Sequence, residues 1–368
     1  MITIRELTPA LLREYLDSEE FTLSPVISIS RHRALSQISN PRVSPEDVVM
    51  LMAYEEEKLV GYLGIFADYM YLNGREEKAG WLSCMWVDPD TRGQGLARQL
   101  LDRAFECWEG RILVTEFTQA ARSLYDNSEK FVELIEKRGV RGYLRFHVHK
   151  ILPRRNPSWE PWRPVLQVMD WIANLPIDPL LSLWKVDIGA EWERVRDVDA
   201  QTDAFIQSYF DHHFTRRTAK DLNWMLQNPW VISGPTDDRD SARYFFDAVA
   251  RRFDLHAVKL FKTGTREMVG FLILSLHDQR LKVPYWYVDP NYTTHAANLV
   301  MHYMLRYHMD SITLFNPQAV AALNSIPTPF FLKKTLHRQY LISAKYAEEL
   351  KKMSIILMQD GDADSGFT

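Results

Sequence analysis

One segment of the sequence combines residue types at a spacing that suits the binding of an anion. It runs Val87-Asp-Pro-Asp-Thr-Arg-Gly-Gln-Gly-Leu-Ala97 and joins an apolar stretch to an amphipathic pattern that begins after Gly95. Gly93 and Gly95 let backbone N–H groups crowd around a ligand, and the start of a helix adds further donors and a favourable dipole. The segment therefore predicts a cradle for a pyrophosphate group.

Two other phosphate-binding loops fit this segment less well. No Gly-Lys-Ser/Thr ends it, which excludes the loop of the nucleoside triphosphatases, and Arg98 stands where the dinucleotide fingerprint has its third glycine. The pattern Arg92-x-x-Gly95-x-Ala97, preceded by Val-x-Pro, resembles the acetyl-CoA signature of the GNAT superfamily of N-acetyltransferases. The resemblance extends from about residue 45 to residue 147.

The resemblance implies direct transfer of an acetyl group from acetyl-CoA to a primary amine in a ternary complex, with no acyl-enzyme and no metal. It implies that backbone groups of Met85, Trp86 and Val87 hold the pantetheine and polarise the thioester carbonyl. The residues implied for the pyrophosphate are Arg92, Gly93, Gln94, Gly95, Leu96 and Ala97.

Proton transfer needs an acid for the leaving thiolate and a base for the ammonium group. Tyr125, in Ala121-x-x-Leu124-Tyr125, stands where the family places its acid, and a tyrosine that only packs the helix is the alternative. The strand before the loop has no carboxylate, so Glu116 and Asp68 are the candidate bases. Solvated surface acids are the alternative for both, and a chain of water molecules could replace either.

The segment and these side chains must be positioned by strands and helices in alternation. Apolar runs and turn residues predict two strands at 59–66 and 80–87, with a hairpin turn at Asn73-Gly74. A helix after Gly95 and a strand at 111–117 follow. The next helix is predicted from about Gln119 to Lys137, with Gly139 as its stop.

The pattern then recurs in the second half of the chain. Val60-Gly-Tyr-Leu returns as Val269-Gly-Phe-Leu, Trp86-Val-Asp-Pro returns as Tyr287-Val-Asp-Pro, and residues 117–124 align with residues 316–323. The offsets of 209, 201 and 199 indicate a duplicated domain. The second copy has no glycine between Thr293 and Asn298, so one cradle is expected. The arrangement is similar to that of tandem bacterial acyltransferases such as mycothiol synthase.

We therefore predict an α/β chain of two tandem GNAT-like domains, each with a mixed central sheet flanked by helices. The predicted units are an acetyl-CoA-binding domain at 1–150, a connector rich in Pro and Trp at 151–184, a degenerate domain at 185–345 and a tail at 346–368. The prolines predict a connector with one short helix near 166–174, and its tryptophans are expected to pack between the domains. Residues 360–366 lack an apolar period and are expected to fray.

Composition limits the partners and the compartment. The 44 Lys and Arg against 48 Asp and Glu give a formal charge of -4, which disfavours a nucleic-acid partner. The two cysteines and the charged N-terminus favour the cytoplasm, and no membrane partner is expected. The function expected is that of an acetyl-CoA-dependent N-acetyltransferase, with an amino sugar or small amine as acceptor. A non-catalytic acyl-CoA-binding regulator is the alternative, and the oligomeric state stays open.

Overall fold

The structure, a computed structural model, describes residues 2–235 and 242–367. Within these ranges the strands of the first half are β1 (Ile2–Leu7), β2 (Met50–Glu55), β3 (Lys58–Leu72), β4 (Arg75–Val87), β5 (Ile112–Thr115) and β6 (Phe131–Tyr143). Those of the second half are β7 (Glu191–Val195), β8 (Ile232–Ser233), β9 (Val249–Ala250), β10 (Phe253–Phe261), β11 (Met268–His277), β12 (Arg280–Val288), β13 (Ser311–Leu314) and β14 (Leu332–Ser343).

Helices cover the sheet and form the connector. The helices of the first half are α1 (Pro9–Leu16), α2 (Glu19–Leu23), α3 (Arg31–Ile38), α4 (Leu96–Cys107) and α5 (Gln119–Ser128). The connector contains α6 (Val148–Arg155), α7 (Arg163–Asn174) and α8 (Ile177–Leu183), and the second half contains α9 (Ala200–Gln207), α10 (Ala219–Gln227), α11 (Thr293–Arg306), α12 (Pro317–Ser325) and α13 (Ala347–Leu350). None of the described helices is long and apolar enough to cross a membrane.

Both halves contribute to one mixed sheet, which has twelve strands in the described part of the chain. Its order is β1-β2-β3-β4-β5-β14-β6-β13-β12-β11-β10-β7, so β14 lies between β5 and β6. The last strand of the first half, β6, thus lies between β14 and β13 of the second half, and β14 in turn lies between β5 and β6. The pairing of β6 with β14 runs from Phe131 opposite Ser343 to Tyr143 opposite Leu332. The two halves cannot separate without breaking this ladder.

The predicted repeat corresponds to equivalent structure in the two halves. Gly61 pairs with Val87, and Gly270 pairs with Val288. In the first half, Asp88 donates its N–H to the carbonyl of Val60 at 2.9 Å. In the second half, Asp289 donates its N–H to the carbonyl of Val269 at the same distance. The fold class predicted from the sequence is confirmed, with the addition that the two central sheets are continuous.

The predicted helix from Gln119 to Lys137 is wrong in its second part. The helix ends at Ser128, Glu129 has a positive φ of 57°, and β6 begins at Phe131. Gly139 is not a helix stop: a Cβ there would lie 2.4 Å from the carbonyl oxygen of Leu314. Local spacing suggested a helix, but pairing with β14, some 200 residues later, makes the segment a strand.

Two other expectations are also wrong. The connector is largely helical: Pro164 stands in the first turn of α7, where proline is tolerated, although Pro153 lies inside α6. Its tryptophans are exposed rather than packed between the halves. Residues 360–366 do not fray. Asp360 accepts the N–H groups of Phe315 and Asn316 at 2.6 and 2.9 Å and pairs with buried Lys137, so polar contacts replace the missing apolar period.

Candidate active site

The predicted cradle lies where β4 passes into α4. Gly93 and Gly95 have φ values of 84° and 78°, a region that side chains disfavour, and a Cβ at either would meet nothing within 4 Å. The glycines are therefore required by the backbone conformation, with open space in front of them. Leu96 is buried beneath the loop and fixes the start of α4. Since Gly95 has no side chain to cap this helix, the first N–H groups of α4 can serve a ligand.

A gap opens between β4 and β5 beside this loop. The two strands pair only where Gly80 to Leu82 lie opposite Ile112 to Val114. Beyond Leu82, β4 continues to Val87, whereas β5 ends at Thr115. We call this edge of β4, from Ser83 to Val87, which leads to the glycine loop and has no pairing with β5, the slot.

A bulge lies on the other side of the same stretch of β4. Its register with β3 shifts between Ser83, opposite Gly64, and Trp86, opposite Tyr62, and Cys84 between them has a φ of 55°. A bulge of this kind redirects backbone groups. Met85, Trp86 and Val87, predicted to hold the pantetheine, are half-buried along the slot. The structure thus brings the predicted backbone site and the predicted phosphate loop onto one continuous path.

Tyr125 lies on α5, which directly follows β5. Its ring packs edge-on against Phe117 and Phe131, with ring centroids 5.5 and 5.2 Å apart. Burial raises the pKa of the phenol above its usual value, and the negative charge of Asp364 adds to this. The hydroxyl is therefore protonated at neutral pH, as a proton donor must be before it acts.

Glu116 follows β5 with a φ of 52° and forms an ion pair with Arg338 of β14. Burial by itself would raise the pKa of this carboxyl, but the charges of Arg338 and Lys282 lower it below the usual value. A carboxylate held in its charged form by two cations is a weak proton acceptor. Because neighbouring cations already neutralise it, Glu116 is a poor candidate for the base.

Asp68 is placed differently from the sequence-based expectation. It is fully buried on β3, and its oxygens accept bonds from Arg42 at 2.7 Å, Arg217 at 2.5 and 2.8 Å, and the indole of Trp81 at 3.0 Å. It pairs with Ala79 in the β3–β4 ladder, on the side of Leu82 away from the bulge. With its oxygens occupied by these donors, Asp68 joins the two halves and is a poor candidate for the base.

The sequence analysis missed a carboxylate that the structure places beside the bulge. Ser83 donates its hydroxyl to Asp364, and the same hydroxyl oxygen accepts a bond of 2.7 Å from Arg33 of α3. Burial raises the pKa of Asp364, Glu116 adds to this effect, and Arg33 opposes it. Its only sequence signal was an acidic run in a segment expected to fray, so its position could not be inferred.

A known protein family matches the part of the chain that contains the glycine loop. Residues 10–128 match the model of the acetyltransferase (GNAT) family. These residues form a GNAT domain. The match covers about a third of the chain. No curated protein sequence matches the chain.

Two of the matching solved structures share the fold over more than nine tenths of the chain. A probable N-acyltransferase from Enterococcus faecalis V583 is 12% identical, with a TM-score of 0.50, and the match covers 92% of this chain and 72% of that one. N-myristoyltransferase of Saccharomyces cerevisiae, with bound myristoyl-CoA, is 9% identical with a TM-score of 0.50, and the match covers 93% and 78%. A GCN5-related N-acetyltransferase from Anabaena variabilis is 11% identical with a TM-score of 0.49, and the match covers 93% and 72%.

The second half lacks the features of the GNAT domain's loop. Helix α11 begins at Thr293 without a glycine turn, and its Asn298 donates to the carbonyl of Asp187 at 2.8 Å. A Cβ on Gly189 would lie 3.0 Å from the ring of His295. The chain between α8 and β7 therefore covers the place where the GNAT domain has its open loop.

The backbone of β12, the strand of the second half that corresponds to β4, already has a hydrogen-bond partner. Trp286 of β12 corresponds to Met85 by the sequence offset of 201. The side-chain amide of Gln359 accepts the N–H of Trp286 at 3.0 Å and donates to its carbonyl at 3.1 Å. In the second half, Gln359 thus satisfies the backbone groups that correspond to those of Met85.

No group of three or more His, Cys, Asp or Glu side chains is placed to hold a metal ion within residues 2–235 and 242–367. The predicted lack of a metal requirement stays a prediction.

Proposed function

We propose that the chain transfers the acetyl group of acetyl-CoA to a primary amine in a single ternary complex. The proposal rests on three features: the glycine loop at the start of α4, the edge of β4 that β5 leaves unpaired, and Tyr125 on α5, which lies within reach of the charge of Asp364 beside the bulge. Phosphates need the loop, an extended pantetheine needs the edge of a strand, and a leaving thiolate needs a proton donor. All three features belong to the first half.

Each group has one task in this mechanism. N–H groups from Arg92 to Ala97 bind the pyrophosphate, and the backbone of Met85 to Val87 aligns the thioester and polarises its carbonyl. The amine nitrogen attacks the carbonyl carbon, the C–S bond breaks, and the thiolate takes its proton from Tyr125. Among the described acids near the bulge, Asp364 is the best-suited acceptor for the ammonium proton, because its pKa is raised while that of Glu116 is lowered.

The acceptor is proposed as a primary amine of a small molecule. An amino sugar was suggested by the aromatic stretch at 222–230, but the aromatic side chains here face the interior. Trp224 and Trp230 pack against Phe66 of β3 at centroid distances of 6.1 and 5.6 Å, so they form no exposed platform for a sugar. A cytoplasmic location and the absence of a nucleic-acid partner remain part of the proposal.

The test is release of free CoA thiol from acetyl-CoA with a panel of small amines, amino sugars and peptides with free N-termini. Mass spectrometry should find the acetylated amine and no acetylated protein. If acetyl-CoA binds but no amine accelerates CoA release above hydrolysis, the binding-only regulator is the correct function. An acetyl adduct on Cys84 that forms and decays during turnover would replace direct transfer with a two-step reaction.

A further inference from the structure

The connector exposes an apolar surface of unusual extent. We define the connector face as its exposed large apolar side chains: Trp159, Trp162, Val165, Val168, Met169, Trp171, Ile172, Leu175, Leu180, Leu183 and Trp184. Met169 and Trp171 are 59% and 64% exposed, on a helix of three turns. A patch of this kind on a folded protein marks a surface that meets another apolar phase.

The orientation of α7 is fixed from its other side. Buried Asp170 accepts the backbone N–H groups of Val148 and His149 at 3.0 and 2.9 Å. Asn174, one turn later, accepts the N–H of Phe146 at 2.8 Å and donates to its carbonyl at 3.0 Å. The helix therefore cannot rotate to bury its apolar side without losing four hydrogen bonds to the start of the connector.

The exposed side of α7 is broad and convex. At about 100° per residue, its exposed apolar positions from Val165 to Leu175 cover about 160° of the helix circumference. Helices that lie in a membrane interface have this width of apolar surface, and tryptophan is the side chain that prefers the level of the headgroups. Four of the chain's eleven tryptophans belong to the connector face.

The charges of the connector are balanced, and two lysines flank it. Residues 151–184 contain three Arg and three Asp or Glu, and Arg163 pairs with Glu160 at 2.8 Å. One of the three acids, Asp170, is buried, and Asp178 forms an ion pair with Arg145 at 2.7 Å. Exposed Lys150 and Lys185 lie near the two ends of the segment. This distribution is complementary to an anionic surface.

We propose that the connector face docks onto the surface of a bilayer that contains anionic phospholipids, with α7 lying in the headgroup region. This replaces the sequence-based expectation of no membrane partner. The inference is independent of the proposed acyl transfer, because none of its residues belongs to the candidate active site.

The test is co-sedimentation of the full chain with vesicles of phosphatidylcholine and phosphatidylglycerol, and with vesicles of phosphatidylcholine alone. The variant V168Q/M169Q/I172Q keeps good helix formers and removes the centre of the connector face. Its matched control, L23Q/F245Q/I355Q, removes exposed apolar side chains elsewhere. Unchanged thermal unfolding of both variants shows that they fold.

We expect the first variant to lose at least about tenfold in vesicle partitioning, and the control to keep it. Binding to phosphatidylcholine alone and binding at high salt should be weaker than binding to the anionic vesicles at low salt. Failure of the wild-type chain to sediment with anionic vesicles overturns the proposal, as does equal binding by the first variant. Sedimentation velocity adds a further outcome: if the wild-type chain self-associates through this face and binds no vesicles, the occupant is a second copy.

Discussion

Substitution of Gly95 separates binding of the cofactor from stability of the loop. The φ of 78° at this residue is strained for any side chain, which costs about 1–2 kcal/mol of folding free energy. A Cβ there would meet no protein atom within 4 Å, so a substitution causes no clash in the free protein. The added side chain instead occupies the space in which the phosphates are proposed to lie.

Gly264 supplies the matched control. It lies in the turn between β10 and β11 with a φ of 76°, and a Cβ there would also meet nothing within 4 Å. G95A and G264A should therefore lose similar amounts of unfolding free energy, about 1–2 kcal/mol each in chemical denaturation. G95E adds a carboxylate beside the pyrophosphate and should weaken CoA binding by more than about 2 kcal/mol, which is roughly 30-fold in Kd.

Calorimetric titration with CoA measures this effect and its stoichiometry together. The wild-type chain should bind one CoA, because Gln359 occupies the strand of the second half and the chain near Gly189 covers the start of α11. G264A should keep wild-type affinity, and G95E should lose it. Unchanged affinity in G95E, equal losses in G95E and G264A, or a stoichiometry of two would each refute the reasoning.

Three further predictions follow from the same contacts. Y125F keeps the ring packing against Phe117 and should lower kcat by roughly 100-fold to 10,000-fold with acetyl-CoA affinity unchanged; wild-type turnover would show that another group protonates the thiolate. Residues 1–150 expressed alone should aggregate or bind a hydrophobic dye, since β5 and β6 both lose β14; a soluble and active fragment would contradict the shared sheet. Burial raises the pKa of Asp362 to about 6, above its usual 3.8, so the folded chain favours the protonated carboxyl. The contribution of Asp362 to the free energy of unfolding should therefore fall as pH rises from about 4 to about 6. D362N should flatten this pH dependence in denaturation at several pH values, and an unchanged dependence would assign it to other groups.

The sequence predicted those features that depend on residues close together in the chain. The glycines at 93 and 95, the apolar face of α4 and the Asn73-Gly74 turn depend on neighbours within a few residues, and the structure has all three elements where they were expected. The repeat was visible because the turns that follow Asp88 and Asp289 use the same bond, from a backbone N–H three residues later to the aspartate carbonyl. These features could be predicted because residue type and conformation are linked at short range.

The remainder depends on contacts between residues far apart in the chain. Residues 131–137 have helical spacing but form a strand, because β14 pairs with them. Asp68 accepts hydrogen bonds from Arg217, which lies 149 positions later in the chain. Asp364 accepts the hydroxyl of Ser83, which lies 281 positions earlier. Local patterns give no information on such pairs, which is why the partners of Asp68 could not be predicted and the buried end of the chain was expected to fray.

The central claim is that the chain transfers the acetyl group of acetyl-CoA to an amine, with the CoA bound by the first half. It is tested most directly by a single-turnover reaction of the wild-type chain, with limiting acetyl-CoA and the best amine of the panel, followed by mass spectrometry of protein and product. We expect one acetylated amine for each CoA released, no acetylated protein at any time, and loss of the reaction in Gly95→Glu. Acetyl-CoA that stays bound and intact with every amine would contradict the claim.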